Sequence, residues 1–225
     1  MSKKPRKPPK KMEEGSAPKT FSFKFLNQEQ HLCYKSLEQN DINFLQGIAG
    51  TGKTFLCAAF AINQLLNKRI SKIYICRPLV EAGEKLGFLP GDISDKVAPY
   101  LIPLYSCFDD LVGKTGLQRE IVDNAIEIVP LAFLRGVTIK NAVAILDEAQ
   151  NCTYKQLKLF LTRIGHNGKL IINGDLSQID LMPSQSGLKD VIHRLKDVPS
   201  INIYTFDESS VVRHPLIQTL SQRLP

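Results

Sequence analysis

The residues with the most legible chemistry are Gly47-Ile48-Ala49-Gly50-Thr51-Gly52-Lys53-Thr54: a glycine, four residues, a second glycine, a lysine and a threonine. That is the spacing of a phosphate-binding loop. Gly47, Gly50 and Gly52 let the backbone take conformations closed to residues with a Cβ, so successive amides can turn inward around an anion. Lys53 then reaches the β- and γ-phosphates, and the Thr54 hydroxyl is a ligand for Mg²⁺. Further along, Asp147-Glu148 follows the apolar run Ala142-Val143-Ala144-Ile145-Leu146. Asp147 can hold the water shell of the same ion, and Glu148 can orient and deprotonate a water for attack on the γ-phosphate. A third cluster, Gly174-Asp175-Leu176-Ser177-Gln178, offers Gln178 as a sensor of the γ-phosphate and Asp175 as the residue that holds its loop. The plain alternatives are a glycine-rich turn with an incidental lysine and two solvated acids at a strand end. Both motifs in one chain favour ATP or GTP hydrolysis.

Such residues need strands that end where they stand. Ile42 to Gln46 reads as a short buried strand ahead of the loop, and Phe55 to Asn67 as a helix after it, with Leu56, Ala59, Phe60, Asn63 and Leu66 at helical spacing. The apolar runs at 72–76, 142–146 and 169–173 read as central parallel strands, with 127–129 and 201–206 as further strands. The expected fold class is α/β, a mostly parallel central sheet flanked by helices, and ligands sit at the carboxyl ends of the strands in such sheets. Thr153 caps a helix with Leu157, Phe160, Leu161 and Ile164 as its buried stripe, and residues 186–197 and the stretch after Arg213 read as helices.

Upstream of the loop, Phe21 to Phe25 alternates like a strand, and Asn27 is an N-cap for a helix with Leu32, Cys33 and Leu37 on one face. The Gln30 amide carries both a donor and an acceptor and can pair with an adenine edge, with Phe23 or Phe25 as a stacking surface; a polar helix start explains it equally well. Arg77, where Pro78 stops the second strand, is on the edge that touches a phosphate of nucleotide or nucleic acid. Residues 79–130 read as an insertion of loop and helix, with a helix from Asp92 or Ser94 through Leu111 kinked at Pro99 and Pro103, and Tyr100, Tyr105 and Phe108 packed inward.

The net charge of +7 is unevenly spread. Residues 1–20 hold seven lysines and arginines against Glu13 and Glu14, a net of +5, which leaves +2 for the rest. This segment is expected to be a disordered tail, read either as an arm for nucleic-acid phosphates or as a solubilising or targeting extension. No apolar run approaches a membrane span and no apolar stretch backs the basic start, so neither a membrane segment nor a secretory leader is expected. The five cysteines, Cys33, Cys57, Cys76, Cys107 and Cys152, form no CxxC pair, which argues against disulfides or zinc and for a cytoplasmic setting.

GIAGTGKT, the stretch from Arg77-Pro78-Leu79 to Pro90-Gly91-Asp92, LDEAQN, FLTRIG, GDLSQIDL and VVRHPL occur in that order. Over residues 21–225 the chain resembles the PhoH family of P-loop ATPases, and most of all its short phage-type members. The resemblance implies a single RecA-like lobe related to superfamily 1 helicases, with the 169–173 strand between the phosphate-loop strand and the Asp147 strand. It implies ATP and Mg²⁺ as cofactors, an association with RNA or single-stranded DNA, and a homo-oligomeric ring, expected to be a hexamer. A one-lobe ATPase lacks the cation that a second lobe supplies, a group worth about 10³–10⁵ in rate. Arg213 is the first candidate, donated by a neighbouring subunit, with Arg163 and Arg135 behind it. Adenine is favoured over guanine by the resemblance and by the lack of an Asn/Thr-Lys-x-Asp motif. The expected activity is an ATPase coupled to binding or remodelling of nucleic acid. An ATP-gated nucleic-acid-binding module with little turnover and an ATP-dependent phosphotransferase are the alternatives.

Overall fold

The computed structural model describes residues 23–78, 104–181 and 185–212. Six strands form one sheet: β1 (Ile42–Gln46), β2 (Lys72–Cys76), β3 (Ile126–Ile128), β4 (Ala142–Leu146), β5 (Gly168–Gly174) and β6 (Ile201–Thr205), in the order β3-β2-β4-β5-β1-β6. Every pairing is parallel. β5 therefore lies between β1 and β4, as the resemblance implied, and the fold is α/β of the RecA-like P-loop kind.

The sheet divides the apolar residues by alternation. On β4, Val143 and Ile145 face the core beneath α1 (Gln28–Gln39), α2 (Lys53–Leu66), α3 (residues 104–112) and α4 (Leu117–Ala125). Ala142, Ala144 and Leu146 face the core beneath α5 (Tyr154–Leu161) and α6 (Leu188–Leu195). All five are buried, which is why the run has no polar interruption. Register does the rest. Gln46 stands opposite Gly174 and Thr205, Leu146 opposite Cys76 and Ile172. The five longer strands thus end within a residue or two of one another along one edge, where the segments after them meet.

Helix starts follow local chemistry. Asn27 caps α1, its side chain accepting from Gln30 N at 2.8 Å. Thr153 and Gln156 form a reciprocal capping box on α5. α5 stops at Leu161, and Ile164 instead bridges to Ile139. Two expectations need correction. Residues 23–25 form no strand; Phe23 and Phe25 lie 5.3 and 5.4 Å from the Tyr34 ring, packed on the α1–α2 core. Leu32 is 48% exposed while Tyr34 takes the inward position on α1. The strand expected at 127–129 is β3, which follows α4 and extends the sheet beside β2. Phe108 is fully buried and Tyr105 packs against it, as expected, both on α3. The expected tail, Tyr100, the helix start at Asp92 or Ser94 and the helix after Arg213 lie outside the described residues.

Candidate nucleotide site

The loop after β1 runs into the first turn of α2, whose N-cap is Gly52 at φ 87°. Two glycines are sterically required. A Cβ on Gly47, at φ 148°, would lie 2.8 Å from Phe206 Cβ, and one on Gly52 would lie 2.7 Å from Gln30 Nε2. The Lys53 ammonium folds back on the loop, donating to Gly47 O at 2.6 Å and Ile48 O at 2.9 Å. Burial pushes it below the ordinary lysine range, against the pull of Asp175, Glu148 and Asp147. A cleft of about 300 Å³ opens over these residues, walled by Gly50, Lys53, Thr54, Asp147, Glu148 and Gln178.

Thr54 Oγ1 and Asp147 Oδ1 are 3.5 Å apart. Asn173, from the end of β5, donates its Nδ2 to both, at 3.0 and 2.5 Å. Asp147 is 6% exposed. Burial and the Glu148 charge raise its pKa, with Arg77 and Asn173 opposing. Among the described residues no three acids, histidines or cysteines form a cage for a metal. Mg²⁺ does not need one, since it takes one or two protein oxygens and fills its octahedron with phosphate and water. Two buried acceptors beside this pair, Asn173 Oδ1 and Asp175 Oδ2, have no donor, as oxygens that receive a metal's water shell should. The residues present fit a hydrated Mg²⁺ held by Thr54 and Asp147.

Glu148 takes a left-handed conformation, φ 54° and ψ 40°, costly for a residue with a Cβ and common where a side chain must be aimed. Its Oε2 accepts from Gln150 Nε2 at 2.6 Å, and its Oε1 lies 3.3 Å from Arg77 Nη2. Arg77, expected to touch a phosphate, thus stands beside Glu148. Gln178 lines the cleft, and Asp175 holds the loop by accepting from Ser177 N and Oγ at 2.9 and 2.5 Å.

Gln30 does not line the cleft. It is 2% exposed, its Oε1 accepts from Leu26 N at 2.9 Å and its Nε2 donates to Thr51 O at 3.2 Å. In this arrangement the amide braces the phosphate loop, and the adenine pairing expected of it is not what its atoms do. Arg213 lies outside the described residues. Its neighbour Val212 donates its amide to Gly50 O at 2.9 Å. Arg163 sits at the opposite edge of the sheet, its carbonyl accepting from Ile139 ahead of β4, and Arg135 does not line the cleft.

Neither Asn173 nor Gln150 belongs to the set of site residues expected from sequence. Asn173 carried one signal, a polar residue at the end of an otherwise apolar strand. Gln150 carried only its place in the LDEAQN motif.

The family described as PhoH-like protein matches residues 22–224. A PhoH-like protein of Bacillus subtilis is 46% identical over 88% of this chain and 62% of its own length, and one of Synechocystis is 44% identical over 88% and 60%. Protein PhoH of Escherichia coli K12 is 43% identical over 85% and 55%. The chain thus spans little more than half the length of the curated relatives it matches. Among solved structures, the Pif1 helicase of Candida albicans aligns with 89% of this chain and 44% of its own, at 14% identity and a TM-score of 0.43. With that match running through the phosphate loop, the Asp147 strand end and the Gln178 loop, the chain belongs to the PhoH family.

Proposed function

We propose that this chain is a Mg²⁺-dependent ATPase whose turnover is coupled to binding or remodelling of RNA or single-stranded DNA. The observation that carries the hydrolytic part is the Thr54–Asn173–Asp147 cluster beside Lys53 and Glu148. Loop amides and Lys53 bind the phosphates, the ammonium exchanging loop carbonyls for phosphate oxygens. Mg²⁺, when bound, neutralises charge on the β- and γ-oxygens. Glu148 orients a water and takes its proton as the water oxygen bonds to the γ-phosphorus. The bond from that phosphorus to the bridging oxygen breaks, and ADP and inorganic phosphate leave. Gln178 contacts the γ-phosphate, and Arg213 supplies the further cation. The Val212–Gly50 bond brings the chain to its own phosphate loop one residue earlier, which favours delivery within the subunit over donation by a neighbour in a hexameric ring.

The nucleic-acid part rests on the family resemblance and on the +5 charge of residues 1–20. No helix among the described residues is long and apolar enough to cross a membrane, and a cytoplasmic setting is part of the proposal. A second reading, an ATP-gated binding module with little turnover, is favoured by one contact: Arg77 beside Glu148 engages the base itself. Phosphate release from ATP and GTP, with and without single-stranded RNA and DNA, separates the two on the parent and Glu148→Gln. Fast release from ATP that one nucleic acid stimulates and the variant loses supports the motor. Binding of ATP without release under any condition supports the gated module.

A further inference from the structure

Glu148 and the Gln178 loop are joined by one buried side chain. Gln150 is 1% exposed, and both its N–H groups are committed: one to Glu148 Oε2 at 2.6 Å, the other to Gln178 O at 3.1 Å. Its Oε1 accepts from Asp175 N at 3.0 Å. The space is kept by Gly174, where a Cβ would stand 3.4 Å from Gln150 Oε1 and only 2.6 Å from Leu188 Cδ2. One residue on, Asn151 Nδ2 donates to Asp180 Oδ2 and Asp180 N donates to Asn151 Oδ1, both at 2.8 Å. The short 3₁₀ turn Ala149–Asn151 and the 175–180 loop are therefore tied at both ends into one unit.

We propose that Gln150 is a positioning residue for hydrolysis, which makes the aim of Glu148 depend on where the Gln178 loop stands. The proposal rests on the reading of Glu148 as the base. When Gln178 meets the γ-phosphate, the loop takes the turn and Gln150 with it. Glu148 stands at the start of that turn, in the left-handed conformation, where the movement is taken up. Two hydrogen bonds of 2.6 and 3.1 Å from one NH₂ group do not both survive a shift of about 1 Å between their acceptors, so loop position and carboxylate aim change together. With Oε2 held by Gln150, the lone pairs of Oε1 are the ones turned to the attacking water once Arg77 yields. Asn151 and Asp180 also tie the turn to the loop, but the bond that reaches the Glu148 carboxylate itself comes from the Gln150 amide that holds Gln178 O.

Gln150→Glu isolates the claim. It keeps the side chain's shape and the acceptor for Asp175 N and removes both donors. Single-turnover ATP cleavage with enzyme in excess, the Kd for ATP and the melting temperature are measured for the parent, Gln150→Glu, Glu148→Gln and the double variant. The expected result is a Kd within about threefold of the parent, cleavage slowed by about 10–100-fold, and little further loss when Gln150→Glu is added to Glu148→Gln, because residues acting as a unit are non-additive. Cleavage by Gln150→Glu at the parental rate overturns the inference alone. So does an equal further loss in the Glu148→Gln background, or a Kd that weakens as much as the rate falls, since either marks a merely structural residue. Parental cleavage by Glu148→Gln overturns the base assignment and the inference with it. Should Gln150→Glu not fold, Gln150→Met is read in the same assays against the same outcomes.

Discussion

Lys53 and Lys169 stand at opposite edges of the same sheet, and both bond backbone carbonyls. Lys53 donates to Gly47 O and Ile48 O in the phosphate loop. Lys169 donates to Leu37 O, to Glu38 O at 3.3 Å and to Asn40 O at 2.5 Å, where α1 ends. Burial lowers the pKa of both. The difference lies in the helix end each meets. Lys169 faces a helix C-terminus, with the negative end of the dipole and no basic residue in the last turn of α1; its stem runs beside the Phe60 ring, the ammonium 5.4 Å from its centre. Lys53 is the first residue of α2, at the positive end, where a cation is out of place until an anion joins it. One lysine completes a helix. The other is held by loop carbonyls that, on the proposed function, a phosphate would displace.

The variants that sharpen this contrast differ in what they damage. Lys53→Met should reduce phosphate release by about 10³-fold or more, as expected for loss of a charge aimed at the transition state, with the urea midpoint close to the parent's. Lys169→Met should do the reverse. It strips charged hydrogen bonds from the end of α1 and should cost about 1–3 kcal/mol in urea unfolding, with the release rate per folded molecule within about twofold of the parent. Equal damage to activity by both would erase the distinction.

Asp147→Asn probes the same end of the sheet through pH. The raised pKa of Asp147 means that the folded protein holds its proton more tightly than the unfolded chain does. That contribution to stability is complete below the unfolded carboxylate value and is lost as pH rises through the folded one. At neutral pH the ionised group is therefore a burden. Asp147→Asn should raise stability at pH 7, with the gain shrinking toward pH 4 while release stays abolished throughout. A variant less stable than the parent at pH 7 would place Asp147 with Lys169, among the groups that hold the fold. The smallest effect should come from Thr153→Ala, which removes the α5 capping box at about 0.5–1 kcal/mol, read as a small drop in midpoint with release unchanged.

The strands could be read from sequence because a parallel strand covered on both faces has to be an apolar run, and Ala142 to Leu146 has no other way to be buried. Once they are placed, the loop and Asp147 follow, since each comes directly after a strand end, and Gln178 lies in the segment that leaves β5. Less legible was whatever depends on a partner distant in the chain. Gln30 was read from its chemistry alone, and its actual acceptor, Thr51 O, is set by how α1 packs against the loop. Leu32 and Tyr34 fit helical faces that differ by a modest rotation, and the aromatic cluster with Phe23, Phe25 and Phe60 decides between them. Asn173 bonds Thr54 and Asp147, and Gln150 bonds Gln178 and Asp175, across segments distant in the chain, which no local pattern records.

The most direct test of the central claim, that the α2 end of the sheet is built to receive the phosphates of Mg²⁺-bound ATP, is the melting temperature of the parent and Lys53→Met with ATP and Mg²⁺ at about 100 times the parental Kd. A ligand at that excess stabilises by about 2.7 kcal/mol, and for a chain of this size that is roughly 5–10 °C. The account predicts that rise in the parent, its loss without Mg²⁺, and little or none in Lys53→Met. No rise in the parent, or the same rise in both proteins, would contradict it.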